Sequence, residues 1–111
     1  NNWNIIMKNI KYFITLSDII KKKVTEDPEN SYTATLIKDI ELLTKKVGEE
    51  AIELIISTLA NDKENVKKEA ADLIYHLMVL LEKNDLNIDD ICAELIIRHG
   101  VSGHDEKKSR K

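Results

Sequence analysis

Two stretches decide the fold: Val47-Gly48-Glu49-Glu50-Ala51-Ile52-Glu53-Leu54-Ile55-Ile56-Ser57-Thr58-Leu59-Ala60 and, after the polar break Asn61-Asp62, Glu69-Ala70-Ala71-Asp72-Leu73-Ile74-Tyr75-His76-Leu77. In the first, Val47, Ala51, Leu54, Ile55 and Thr58 recur at spacings of three and four, the period of a helix and not the alternation of a strand. In the second, Leu73, Ile74 and Leu77 do the same, and Val66, Ala70, Leu80 and Leu81 extend the pattern both ways. Asn61 or Asp62 can cap the later helix, so the two are expected as an antiparallel pair joined near Ala60 to Lys63.

Upstream, Leu36, Ile40 and Leu43 carry the first stripe back without interruption, which predicts one helix from Ser31 or Thr33 to Ala60. Gly48 lies inside it at a cost of about 1 kcal/mol relative to Ala, so something else should favour that glycine. Before it, Ile10, Phe13, Ile14, Leu16, Ile19, Ile20 and Val24 define another helix, and Asp27-Pro28 marks a turn between Thr25 and Ser31. Downstream, Asn84-Asp85 ends the Val66 to Leu81 helix. Asn87 caps a last helix to about Arg98, with Asp89 and Asp90 in the turn where the helix dipole favours negative charge, and Gly100 stops it. The fold class is all-α, with four helices in the protomer.

Composition agrees. Of 111 residues, 42% are hydrophobic and 33% charged, against 3 Gly and 1 Pro, a balance of amphipathic helices rather than of a β-sandwich or a disordered chain. A chain of this length buries only about two-thirds of its potential surface alone, so a second copy would add core. The net charge of −3, from 20 acidic and 17 basic side chains, offers no global attraction to nucleic acid or an anionic membrane; a polyanionic ligand would need a local site. The single Cys92 rules out a disulfide scaffold and structural zinc, and its neighbours Ile88, Ile91, Leu95 and Ile96 make it read as a core residue. No apolar run approaches the roughly 20 residues that span a bilayer, and the N-terminus lacks the marks of a secretory leader, so a cytoplasmic location is expected. Asn1 to Ile6 precede the first methionine, Met7, and read as a foreign remnant or the end of a linker from an upstream domain. Residues 7–100 then form the domain. Residues 101–111 are a polar, lysine-rich tail, either disordered or folded against a partner subunit.

The chemistry lies in two acidic pairs, Glu50 with Glu53 and Glu69 with Asp72, each three residues apart. At about 100° per residue, the members of each pair share a helix face within about 60°. An antiparallel arrangement brings all four carboxylates together. Convergent like charges destabilise an empty fold, and a bound cation reverses that sign. Carboxylates without cysteine or paired histidine suit Mg²⁺, with Mn²⁺ as a substitute, and Mg²⁺ is commonly shared with the phosphates of a nucleotide. A lone acidic pair would read as an ordinary solvated face; two facing pairs weaken that reading. Lys45 and Lys46 precede Glu49 and Glu50 by one turn, and either form i, i+4 ion pairs or bind phosphate oxygens. His76, one turn beyond Asp72, is either a hydrogen-bonded residue at the core margin or a substrate contact.

Ser31-Tyr32-Thr33-Ala34, Lys45-Lys46-Val47-Gly48-Glu49-Glu50-Ala51 and Glu69 to Leu77, followed by Arg98-His99-Gly100 and Ser102-Gly103, resemble in order the motifs of the phosphoribosyl-ATP pyrophosphatase family. That family lies within the all-α nucleotide pyrophosphohydrolase superfamily, whose Glu-x-x-Glu and Glu-x-x-Asp pattern Glu50, Glu53, Glu69 and Asp72 match. The resemblance implies hydrolysis of phosphoribosyl-ATP to phosphoribosyl-AMP and pyrophosphate in histidine biosynthesis, by attack of a metal-bound water. It also implies an intertwined homodimer of helical bundles. On that reading Glu50, Glu53, Glu69 and Asp72 hold the metal, and Glu49 is the candidate to orient or deprotonate the water. Ser31, Tyr32, Lys45, Lys46, His76 and Arg98 are candidate substrate contacts, because hydroxyls, amines and guanidinium groups suit phosphate or ribose oxygens. The chain departs from the family between Ala34 and Lys45, where a glycine is usual and the family runs one residue longer; here the helix reads straight through. Two rival readings are a housekeeping pyrophosphatase for free nucleoside triphosphates, which the Ser-Tyr-Thr-Ala and C-terminal motifs oppose, and a non-catalytic helical dimerisation module.

Overall fold

Four short polar side chains open four of the helices. Ser31 Oγ accepts from the Ala34 amide, the Asp39 carboxylate from Leu42, the Asp62 carboxylate from Asn65 and the Asn87 side chain from Asp90, each at 3.1 Å. Each satisfies an amide that the first turn of a helix leaves without a partner. In the computed structural model, which describes residues 8–100, these caps start α2 (Tyr32–Lys38), α3 (Ile40–Leu59), α4 (Lys63–Lys83) and α5 (Ile88–His99), and α1 (Tyr12–Lys23) precedes them. At α5 the cap is reciprocal, since the Asp90 carboxylate accepts from the Asn87 amide at 2.9 Å. The expectations for residues 1–6, for the 101–111 tail and for Ser102-Gly103 lie outside the described residues.

The all-α reading holds, but the single helix expected from Ser31 to Ala60 is two. Asp39 leaves helical geometry (φ −131°, ψ 87°), and its side chain caps the helix that follows. From Tyr12 onward the chain therefore holds five helices to His99, where four were expected. Leu36 and Leu43, seven residues apart on either side of the break, are both fully buried. The apolar stripe thus passes through the joint unchanged, and periodicity alone cannot register it.

The main contact is α3 against α4, with α1 and α2 also packing on α4. Ile20, Leu36, Leu43, Met78 and Val79 form the buried core. Because α4 is packed by three other helices, it buries a wider arc than its predicted stripe, adding Met78, Val79 and His76. The α3–α4 turn passes through Asn61 and the α4–α5 turn through Asp85, at φ 58° and 57°; this left-handed region is one that Asn and Asp tolerate better than most side chains.

Two expectations about individual residues are corrected, for Cys92 and for the α3 stripe. Cys92 is exposed, because α5 buries none of its residues and packs mainly on α1. Among the described residues a Cβ on Gly48 would meet nothing within 4 Å, so their packing supplies no reason for that glycine. Ile40 and Ile55, counted in the α3 stripe, are exposed. Gly100 does stop α5: its amide donates to the Ile96 carbonyl at 2.7 Å, and a Cβ there would lie 2.6 Å from that oxygen. No described helix is long and apolar enough to cross a membrane.

Candidate metal centre

Antiparallel packing of α3 and α4 turns two sequence-local pairs into one cluster. Ligand atoms of Glu50, Glu69 and Asp72 all lie within 4.8 Å of one another, with Glu50 buried, Glu69 half-buried and Asp72 exposed. One oxygen of Glu50 and one of Glu69 are buried without a hydrogen-bond donor. Buried acceptors left unpaired are costly, and two carboxylates facing each other cost more. Burial, then the Glu53 charge, pushes the Glu50 carboxyl above its ordinary value. Glu69 is pushed up to about 7, first by a hydrogen bond shared with the Glu53 carboxyl, then by desolvation and by Glu50. Glu53 is thus electrically part of the cluster although it stands outside the three-residue group of ligand atoms. An oxygen-only donor set with an open, solvated edge has the chemistry of a hard divalent cation site.

The remaining candidates separate into groups. Tyr32 sits on α2 with its hydroxyl 2.8 Å from His76 Nε2, and His76 Nδ1 is 2.7 Å from the Asp72 carbonyl. The charges of Lys46, Glu50 and Glu49 all act on the Tyr32 hydroxyl, whose pKa is raised chiefly by burial, with Lys46 pulling the other way. These residues therefore adjoin the cluster. Neither Lys45 nor Lys46 forms an ion pair with Glu49 or Glu50; the pairs among the described residues are Lys21–Glu82, Lys67–Glu64 and Arg98–Glu94. Ser31 is buried and committed, its hydroxyl capping α2 and lying 3.3 Å from the Lys23 carbonyl as donor. Arg98 is held by Glu94 at 3.0 Å on α5 and not by any residue of the cluster.

Sequence reasoning missed Thr33 and Tyr75 as parts of the site's frame. Their hydroxyls are hydrogen-bonded to each other, a second tie between α2 and α4 beside Tyr32–His76. The signal lay in the adjacency of Tyr32-Thr33 and of Tyr75-His76, two neighbouring pairs that meet across the helices.

The fold and the cluster together define an all-helical protein with a carboxylate cluster that could hold a metal ion between two antiparallel helices. Residues 13–99 match the family model described as phosphoribosyl-ATP pyrophosphohydrolase, and the chain belongs to that family. The phosphoribosyl-ATP pyrophosphatase of Azoarcus sp. is 40% identical over 106 residues, covering 95% of this chain and 99% of that protein. That of Paracoccus denitrificans is 43% identical over 97 residues, covering 86% of this chain and 90% of its own. The histidine biosynthesis bifunctional protein HisIE of Haemophilus influenzae is 46% identical over 100 residues, 88% of this chain, which spans only 45% of that protein's length.

Proposed function

We propose that this protein hydrolyses phosphoribosyl-ATP to phosphoribosyl-AMP and pyrophosphate, in histidine biosynthesis, with Mg²⁺ as cofactor and Mn²⁺ as a substitute. The observation that carries the reading is the gathering of Glu50, Glu69 and Asp72 within 4.8 Å, with two buried oxygens that no protein donor satisfies. Glu50, Glu69 and Asp72, joined by Glu53, would hold the cation, and a bound cation supplies charge neutralisation on the phosphates and a lowered pKa for water. Glu49, half-buried on α3, takes the proton from the attacking water as its oxygen bonds to phosphorus and the phosphoanhydride bond to pyrophosphate breaks. Lys45 and Lys46, which form no ion pair among the described residues, offer ammonium donors to phosphate oxygens. Tyr32 and His76 line the same margin. Ser31 spends its hydroxyl on its cap and on the Lys23 carbonyl and reaches a substrate only by leaving them, whereas Arg98 gives only its Nε to Glu94 and keeps its Nη donors for a phosphate oxygen.

The working form is a cytoplasmic homodimer that binds neither nucleic acid nor membrane. Ile52, Ile55, Ile56 and Leu59 on α3, and Leu95, Ile96 and Ile97 on α5, are exposed in the single chain, and covering them with a second copy removes a large apolar surface from water. The function is tested by incubating the protein with phosphoribosyl-ATP and measuring released pyrophosphate, with Mg²⁺ or with excess chelator, beside ATP. Mg²⁺-dependent release from phosphoribosyl-ATP in preference to ATP supports the reading. Preferential release from ATP makes the protein a general nucleotide pyrophosphatase, and no release from either makes it a non-catalytic module.

A further inference from the structure

His76 is only 7% exposed, yet both of its ring nitrogens have partners. The partner of Nδ1 is the Asp72 carbonyl, which can only accept, so Nδ1 carries the hydrogen. In the neutral ring Nε2 is then an acceptor, and the Tyr32 hydroxyl must donate to it. The single hydroxyl hydrogen of Tyr32 is thereby used, and its oxygen can only accept from any further group. Its ring stands edge-on to His76, with centroids 5.8 Å apart and planes at 79°, and Tyr75 flanks His76 on a similar geometry. The hydroxyl end is fixed while 51% of the Tyr32 surface stays exposed beside the acidic cluster.

A side chain with an acceptor and a half-exposed aromatic ring has little to offer a phosphate, which presents acceptors only. It suits a flat ring carrying N–H or O–H donors. We propose that Tyr32 is a specificity-determining residue for the nucleoside part of the substrate: its ring stacks on the base, and its oxygen accepts from a base N–H or a ribose O–H. This rests on the reading of the protein as a phosphoribosyl-ATP pyrophosphatase, and narrows Tyr32 from a candidate contact to phosphate or ribose oxygens to a contact of the nucleoside. His76 acts through Tyr32, as the residue that positions it.

The two products of the reaction separate the two halves of the substrate. Inhibition by phosphoribosyl-AMP and by pyrophosphate is measured for the wild type, Tyr32→Phe and Tyr32→Leu, with helicity followed by circular dichroism. Tyr32→Phe keeps the ring and loses the acceptor, and should weaken phosphoribosyl-AMP inhibition about threefold to tenfold. Tyr32→Leu loses both, and should weaken it by about tenfold or more. Pyrophosphate inhibition should stay unchanged in both variants. AMP, its 2′-deoxy and 3′-deoxy forms and inosine monophosphate, used as competitors, identify the donor: the Tyr32→Phe penalty vanishes with the analogue that lacks it. Weakened pyrophosphate inhibition in either variant, or unchanged phosphoribosyl-AMP inhibition in both, overturns the proposal. A wild type that releases no pyrophosphate overturns the underlying reading instead, and this one with it.

Discussion

Glu69 shows how a charged residue can oppose the fold that contains it. Its carboxyl titrates at about 7, against 4.5 unperturbed, so the folded protein binds more protons than the unfolded chain between those values. Stability must then fall as pH rises through that window, the reverse of the usual salt-bridged carboxylate. Glu50 is shifted in the same direction and adds to the trend. Thermal melts of metal-free protein are expected to show a lower Tm at pH 8 than at pH 5.5, and added Mg²⁺ should flatten the difference, because a cation stabilises the ionised cluster. Glu69→Gln should raise the metal-free Tm at pH 8 and remove most of the response to Mg²⁺. Equal melting of wild type and variant at pH 8, with and without Mg²⁺, would show that the cluster stores no such repulsion. The residues of this centre were legible because i, i+3 spacing fixes a shared helix face. The cap at Ser31 was legible as one of two candidates beside Thr33, because a cap is local; the bond of Tyr32 to His76 was not, since it depends on which helix lies opposite.

At the scale of elements, Asp39 decides where α2 ends and α3 begins. Without its carboxylate the Leu42 amide loses its partner, and Asp39→Ala should cost about 1 kcal/mol in chemical denaturation. Its effect on activity tests whether the joint also sets the angle at which α2 delivers Tyr32 to α4. Gly48 makes the opposite prediction: with open space around it, Gly48→Ala should stabilise the protein by up to about 1 kcal/mol, the difference in helix propensity. A loss of activity in a stabilised Gly48→Ala protein would show that substrate or a second chain approaches the backbone there. Caps at Asp62 and Asn87 were readable because a polar residue stood where one apolar stripe stopped and another began. Asp39 was hidden because Leu36 and Leu43 keep their spacing across it, and a single non-helical residue leaves no mark on a helical period.

The whole molecule is incomplete in its burial. Leu59 is 78% exposed and Ile96 and Ile97 each 70%, and a helix as apolar as α5 gains little from its contact with α1 alone. The sequence showed the apolar face of α5, and with it Cys92, but periodicity cannot say whether a face is covered by the same chain or another. If a second copy covers it, light scattering after size exclusion should give a dimer of the 12.7 kDa chain. Ile56→Glu and Leu59→Glu should then shift the mass toward monomer with a loss of stability. A wild type that elutes as a monomer at micromolar concentration would contradict the dimer.

The carboxylates between α3 and α4 are proposed to form a hydrolytic centre for phosphoribosyl-ATP. That role is tested most directly by Mg²⁺-dependent pyrophosphate release from phosphoribosyl-ATP in the wild type, Glu69→Gln and Asp72→Asn, each confirmed helical. Release by the wild type and a loss of about a hundredfold or more in each variant are expected. Variants that remain within a few-fold of the wild type would contradict that role.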